Sequence, residues 1–317
     1  MKRLAFLLFS LLVAGSALAQ YPTHPIRILV TIPPGGAPDI VARVIADKIS
    51  PKLGQPVVVE NKPAANGNAA ADEAAHAPAD GYTLLLAADS LITINPHVYA
   101  KMPIDTLKDL TPITALVSNQ FVLSINPKLP PKNFPEFIEY AKKAKPPLAY
   151  ASGGNGSQHQ LTMEMLKERA GFDMIHVPYK GGAPATAATM AGEVAALFSG
   201  TSSAPQIRAG RLRALAVAGA KRSPTFPDLP TIGEFYPGFE NSIWLGLFGP
   251  AGMPDEVVSR LRTEVQRALE SSDVKASLMG KGSLETLILS PEDFEKLIRR
   301  DYDKYGKLIQ KLGIKAD

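Results

Sequence analysis

The residues best suited to chemistry are the glycines of Pro33-Pro34-Gly35-Gly36-Ala37-Pro38-Asp39. Glycine leaves the backbone bare, so a ligand can approach the amide groups directly. Immediately after the turn, Ile40, Val41, Val44, Ile45 and Ile49 repeat with helical spacing until Gly54. A helix N-terminus presents unpaired N–H groups and a partial positive charge. Bare backbone and a helix start together hold an anion such as a carboxylate or phosphate. A strand–turn–helix corner in any α/β protein looks similar, so this turn alone leaves a site and a plain corner equally open. Neither the dinucleotide fingerprint G-x-G-x-x-G nor the Gly-Lys-Ser/Thr of a P-loop is present, which disfavours nucleotide phosphate. Asp39 has two readings: a first-turn acid favoured by the helix dipole, or a contact to a ligand amino or hydroxyl group.

Gly-Gly-Ala-Pro returns at Gly181 to Pro184, again between a strand and a helix, and Tyr179 ends that strand beside the turn. Another Gly-rich turn is Ser152-Gly153-Gly154-Asn155-Gly156-Ser157. Its Ser157 with His159 raises a hydrolase reading, which requires a Ser–His hydrogen bond. Residues two apart at a helix start point in different directions, and no G-x-S-x-G elbow exists, so Ser157 reads as an N-cap. The five His residues, 24, 76, 97, 159 and 176, show no metal-ligand spacing. His24 and His97 read as surface or turn residues, His176 as packed within a strand, and Trp244 as core. No catalytic residue, metal or cofactor is expected.

These turns need strands and helices to position them. Ile28–Ile32 reads as a buried parallel strand, followed by a helix to Gly54. Pro56–Glu60 is a second strand, an Ala-rich helix runs to about Ala77, and Tyr82–Ala88 is a third. Asp89 and Ser90 sit at its carboxyl end, the edge of an open sheet where ligands bind. Further strands are Phe121–Ile125, Leu148–Ala151, Asp173–Tyr179, Val194–Phe198, Leu212–Val217 and Ile243–Phe248. Helices follow Asn133 with Glu136 as a capping box, Ser157 to Gly171, a short stretch to Gly192, and Asp255–Leu269. A last long helix, capped by Ser290, presents Phe294, Leu297, Ile298, Tyr302, Tyr305, Leu308, Ile309 and Leu312 on one face. The pattern is α/β in two halves, each offering a Gly turn to a shared cleft, and no low-complexity linker separates them.

Met1-Lys2-Arg3, the apolar run Leu4–Ala14 and Ala17-Leu18-Ala19 read as a signal peptide over residues 1–19, and hence as export to the periplasm. Losing Lys2 and Arg3 from 34 basic residues leaves 32 against 30 acidic ones, near neutrality. That balance argues against a nucleic-acid partner. With no Cys, disulfides, lipoprotein anchoring and Cys-ligated metals are excluded.

Several motifs in order carry a resemblance. They are Tyr21-Pro22-x-x-Pro25-Ile26-Arg27, Pro33-Pro34-Gly35-Gly36-x-x-Asp39, Val57-Val58-Val59-Glu60-Asn61-Lys62-Pro63, Asp80-Gly81-Tyr82-Thr83-Leu84-Leu85, Ile94-Asn95-Pro96, Val177 to Pro184, Arg213-Ala214-Leu215-Ala216-Val217 and Pro250-Ala251-Gly252-x-Pro254. From Tyr21 to the C-terminus the chain resembles the Bordetella uptake gene (Bug) family, the extracytoplasmic solute receptors of tripartite tricarboxylate transporters. The resemblance implies a type II periplasmic-binding-protein fold, two α/β lobes joined by two crossing strands near Asn119–Val122 and Ser242–Leu245. Lobe 1 would comprise 20–120 and 244–317, lobe 2 121–243. It implies a small carboxylate ligand (di- or tricarboxylate, aromatic acid or acidic amino acid) delivered to membrane permease subunits. One ligand carboxylate would be held by Pro34, Gly35, Gly36 and Asp39 together with Gly154, Asn155, Gly156 and Ser157.

The chain departs from the family pattern in places. Gln160 stands where a His is usual, with His159 one position earlier; Ile32 replaces an aromatic residue; and Ser199-Gly200-Thr201-Ser202-Ser203 replaces a segment that often carries Asp. This Ser/Thr wall, with Thr201 and Ser202, suits neutral hydroxyl or carbonyl groups better than an ammonium. The remaining expected ligand contacts are Ser90, Gln160, Tyr179 and Gly181. The alternative readings are a periplasmic hydrolase and a signalling receptor whose partner is a sensor protein.

Overall fold

A computed structural model describes residues 21–315, except the side chains of Ala65, Asn66 and Ser202. The expected signal peptide lies outside the described residues. No helix among them is long and apolar enough to cross a membrane.

The apolar run after Pro25 forms β1 (Ile26–Val30), two residues earlier than its composition predicts. It pairs in parallel with β2 (Val57–Asn61) and β3 (Thr83–Ala88). Between β1 and β2 runs α1 (Ala37–Leu53), which buries Val41, Ile45 and Ile49 and stops at Gly54 in the left-handed conformation. Helix α2 (Asn68–Ala75) and two short helices, α3 (Asp89–Thr93) and α4 (Asn95–Val98), complete this part.

The connection that follows is β4 (Leu110–Ile125), a 16-residue strand of which the sequence pattern reveals only the end, Phe121–Ile125. Pro112 and the threonines around it break the apolar run, and the register slips at Pro112/Thr114 and Ala115/Val117. Leu110–Gln120 pairs antiparallel with β9 (Ser242–Pro250), and β9 pairs with β3. Phe121–Ile125 instead pairs with β7 (Ala196–Gly200) and β8 (Arg213–Val217). Beyond β7 lie β5 (Leu148–Ser152) and β6 (Met174–Pro178), parallel to each other. Thus β4 belongs to both halves, and β9 starts where they meet, as expected of crossing strands.

Helices α5 (Phe134–Lys143), α6 (Gln158–Ala170), α7 (Gly182–Ala191) and α8 (Ala204–Arg208) clothe the second half. Asn133 is the expected N-cap and accepts the Glu136 amide, but the Glu136 carboxylate takes the Asn133 side-chain amide and the Lys132 backbone amide, not the Asn133 backbone amide that the capping box read from sequence requires. The first half regains the chain as α9 (Asp255–Glu270), α10 (Ser272–Gly282), β10 (Glu285–Thr286) on β4, and α11 (Pro291–Leu312). Helix α10 escapes sequence reading because it buries only Val274 and Leu278.

The cores divide at Gln120/Phe121. One joins β1, β3, α1 and α9, with a neighbouring cluster around Trp244, Phe248 and Phe294; the other joins Phe121, Phe137, Tyr150 and Phe198. A small cluster spans both halves: Ile94, Val98, Leu161, Tyr305, Leu308 and Ile309. Trp244 is core, as expected, and its indole N–H donates to Asp301 at 2.9 Å. Leu312 departs from the expected apolar face and is exposed, whereas Asp301 is buried on it. His97 is half-buried against Tyr302, not a surface residue.

Candidate functional site

The turn after β1 is braced by Asp39. Its carboxylate accepts the Gly35 amide (2.9 Å), Arg43 Nε (3.0 Å) and Asn61 Nδ2 (2.9 Å), and the residue is 4% exposed. Asn61 also donates to the Ile32 carbonyl, and Arg43 to Asn61. Burial raises the Asp39 pKa, but the bonds from Arg43, Gly35 and Asn61 outweigh it and hold the carboxyl below its ordinary value. The Gly35 amide is therefore occupied. The amides of Gly36, Ala37 and Asp39 have no acceptor among the described residues, as expected of a helix start. The left-handed backbone belongs to Gly35 (φ 92°), not Gly36 (φ −83°). A Cβ on Gly36 would stand 2.2 Å from Ile32 Cδ1, the end of a side chain.

The turn after β5 is built differently. Ser152 Oγ contacts His176 Nε2 at 2.6 Å and accepts the Gly154 amide at 3.1 Å. Gln160 closes the turn from the helix: its Oε1 accepts the Gly156 amide at 2.8 Å, and its own amide reaches Ser157 Oγ at 3.4 Å. Gln160 is thus turned into the protein, and Ser157 is the N-cap of α6. The amides of Asn155, Gln158 and His159 have no acceptor among the described residues, and Asn155 is exposed. Ser157 and His159 share no hydrogen bond. The His159 imidazole instead lies between Gly153 and Gly182, and burial pushes its pKa down to about 4.

Three elements converge on this turn. Gly181 N–H donates to the Gly153 carbonyl at 3.2 Å, so the turn before α7 adjoins it. From the other half, Asp89 at the end of β3 accepts hydrogen bonds from Gln158 Nε2 in the first turn of α6 and from the Ser90 amide at 2.9 Å. Gln158 also reaches Tyr305 Oη (3.4 Å) on α11, and Tyr305 donates to Asn241 Oδ1 (2.6 Å). Asp89 is fully buried, and desolvation with the nearby Asp301 charge pushes its pKa well above the ordinary carboxylate value. Ser90 is half-buried beside this link.

The other expected contacts lie less openly. Tyr179 is half-buried with its hydroxyl on Glu193 at 3.2 Å. Thr201 is buried, its hydroxyl 2.6 Å from Asn119 Oδ1 and 3.0 Å from the Ser283 carbonyl, so it ties β4 to the end of α10. The Ser202 side chain lies outside the described ones. Pro34 and Gly35 are exposed. No hydrogen bond among the described residues joins the Gly35–Gly36 turn to the 153–157 turn. Sequence reasoning missed Ala37, whose amide is unpaired because Pro38 and Asp39 start the helix. It also missed Gln158, whose partners lie 69 and 147 residues away.

Two helix starts with unpaired amides and no Lys or Arg within either turn are suited to an anion held by backbone. Among the described residues no cluster of three or more His, Asp or Glu could hold a metal ion.

Residues 41–314 match the family described as Tripartite tricarboxylate transporter family receptor. The chain is 34% identical to Protein BugT of Bordetella pertussis over 298 residues, covering 93% of this chain and 91% of BugT. Among solved structures it resembles an R. palustris protein with adipate, at 33% identity and TM-score 0.79, covering 93% and 99% of the two chains. It also resembles MatC from Rhodopseudomonas palustris with bound malate, at 30% identity and TM-score 0.74, covering 91% and 100%.

Proposed function

The chain belongs to the tripartite tricarboxylate transporter receptor family, and from that premise we propose that it is a periplasmic solute receptor for a small carboxylate, not an enzyme. In this reading the signal peptide exports it, the lobes 20–120 with 244–317 and 121–243 close on the ligand, and membrane permease subunits accept the cargo. The observation that carries the reading is the pair of helix starts: unpaired amides at Gly36, Ala37 and Asp39 in one lobe, and at Asn155, Gln158 and His159 in the other. Each amide facing a carboxylate makes a charge-assisted hydrogen bond, worth about 1.5–3 kcal/mol. The relatives with adipate and malate support a carboxylate as the anion.

A thermal-shift screen of mono-, di- and tricarboxylates, aromatic acids and acidic amino acids tests this. A ligand of the folded state raises stability by about 2.7 kcal/mol at a hundredfold excess over its dissociation constant. Shifts by uncharged sugars or cations alone would overturn the reading. Sustained turnover of carboxylate esters would replace it with a hydrolase.

A further inference from the structure

The link between the two halves contains a carboxyl with no counter-charge. Asp89, directly after β3, is fully buried, and its oxygens accept only neutral donors, the Ser90 amide at 2.9 Å and Gln158 Nε2. Among the described residues it has no salt bridge, because the nearby cations go elsewhere: Lys304 Nζ lies 3.1 Å and Arg300 Nε 3.2 Å from Asp301. Asp301 also takes the Trp244 indole, and the uncharged Tyr305 follows it on α11. On α4, Asn95 is hydrogen-bonded to Asn68, and His97 lies against Tyr302, where burial favours its neutral form. An ionised carboxylate without a partner is costly to bury, so the neutral acid is favoured at Asp89. Burial and the Asp301 charge push its pKa upward accordingly.

The contact that buries Asp89 also ties it to the anion turn. Gln158 is the first residue of α6, and its backbone amide is one of those free for the anion. A carboxylate on that amide is separated from Asp89 by one glutamine side chain and two hydrogen bonds, at most about 12 Å. At an effective dielectric constant of about 20, two negative charges at that distance repel enough to weaken binding about tenfold. The anion therefore binds best when Asp89 is protonated, and by linkage its binding favours the proton. Affinity is full below the ligand-free pKa of Asp89 and falls as pH rises through the higher ligand-bound value.

We propose that the receptor takes up a proton together with its anion, and that Asp89 holds that proton where the two halves meet. The inference rests on the receptor reading above and adds a proton to what the closed form carries.

The probe is whichever of acetate, succinate, glutarate, adipate and benzoate binds most tightly. It is titrated by calorimetry from about pH 5 to 9, a range that brackets a raised carboxyl, in buffers of different ionisation enthalpy. Wild type should take up about half a proton or more per anion at the maximum, beyond the uptake of Asp89→Asn. Subtracting that variant removes protonation of the probe and of His159, which burial beside the turn pushes down to about 4. The affinity of wild type should fall about tenfold or more relative to the variant as pH rises across the range. Asp301→Asn removes the charge that opposes ionisation of Asp89, so the uptake should move to lower pH. Equal proton uptake by wild type and Asp89→Asn overturns the inference. Should Asp89→Asn fail to fold, Asp301→Asn decides, and uptake that stays at the wild-type pH overturns it. If none of the five acids binds, the inference fails; the receptor reading stands if another carboxylate shifts the melting curve and falls with it if none does.

Discussion

At the scale of single residues, Asp39 shows how a helix-start acid can serve a turn. Its three bonds hold the chain that presents the Gly36 and Ala37 amides, so its effect on ligand is through backbone position. Asp39→Ala removes the carboxylate that ties the Gly35 amide to Asn61 and Arg43, and losing these bonds to a charged group costs about 1–3 kcal/mol. It should weaken carboxylate binding in calorimetry as well as lower the melting temperature; unchanged affinity in the folded variant would refute the brace. The carboxyl titrates below its ordinary value in the fold. Its contribution is therefore present above about pH 3.9 and lost as pH falls through the folded pKa. The wild type should lose stability more steeply than Asp39→Ala as it is acidified through that range. Lys180, exposed beside the second Gly-Gly turn, should by contrast tolerate replacement by Ala with little change in affinity. The sequence shows Asp39 at a helix start, but its bond to Asn61 depends on β1 and β2 lying side by side, which only folding supplies.

At the scale of elements, strands β1, β3 and β5 are legible as apolar runs, and the helices after the Gly-rich turns because each follows such a run and a glycine corner. The first half of β4 is not, since Pro112 and the polar threonines obscure its alternation while both its edges are filled from elsewhere in the chain. The same holds for the site: the starts of α1 and α6 can be read, but the clamp joining α6 to the end of β3 cannot. That clamp has a titratable member. Asp89 is pushed up by burial and by Asp301, so its favourable contribution is complete below the ordinary carboxylate pKa and is lost as pH rises through the folded value. Asp89→Asn keeps the Ser90 bond through its Oδ1, and rotation of the Gln158 amide lets Nδ2 meet Oε1. The variant should therefore gain stability relative to wild type as pH rises from about 4 towards neutrality. Melting curves of both proteins across that range check this; a difference independent of pH would show that Asp89 does not titrate in it.

At the scale of the whole molecule, the two halves meet through β4, β9 and a buried polar chain beside the cluster that spans them. Tyr305 on α11 donates to Asn241, which donates to Thr162 on α6 at 2.6 Å. Lys304 reaches the same Asn241 oxygen at 3.0 Å, and Gln158 lies between Tyr305 and Asp89. Helix α11 thereby fixes how the start of α6 faces the other half, and that start supplies the amides assigned to the anion. Tyr305→Phe retains the ring against Val98 and Leu161 but removes the hydroxyl. Asn241 Oδ1 keeps Lys304, so the stability cost should be modest, about 1 kcal/mol for one buried hydrogen bond. Gln158, however, loses its second anchor, and the α6 start gains freedom relative to β3. Ordering it again on binding must then be offset from the binding energy. We expect carboxylate affinity to fall by roughly three- to tenfold, although Tyr305 lies behind the amides and not among them. The paired measurement is calorimetry for affinity and thermal melting for stability. Wild-type affinity with a lowered melting temperature would confine the polar chain to a role in stability and leave the orientation of α6 to the crossing strands alone.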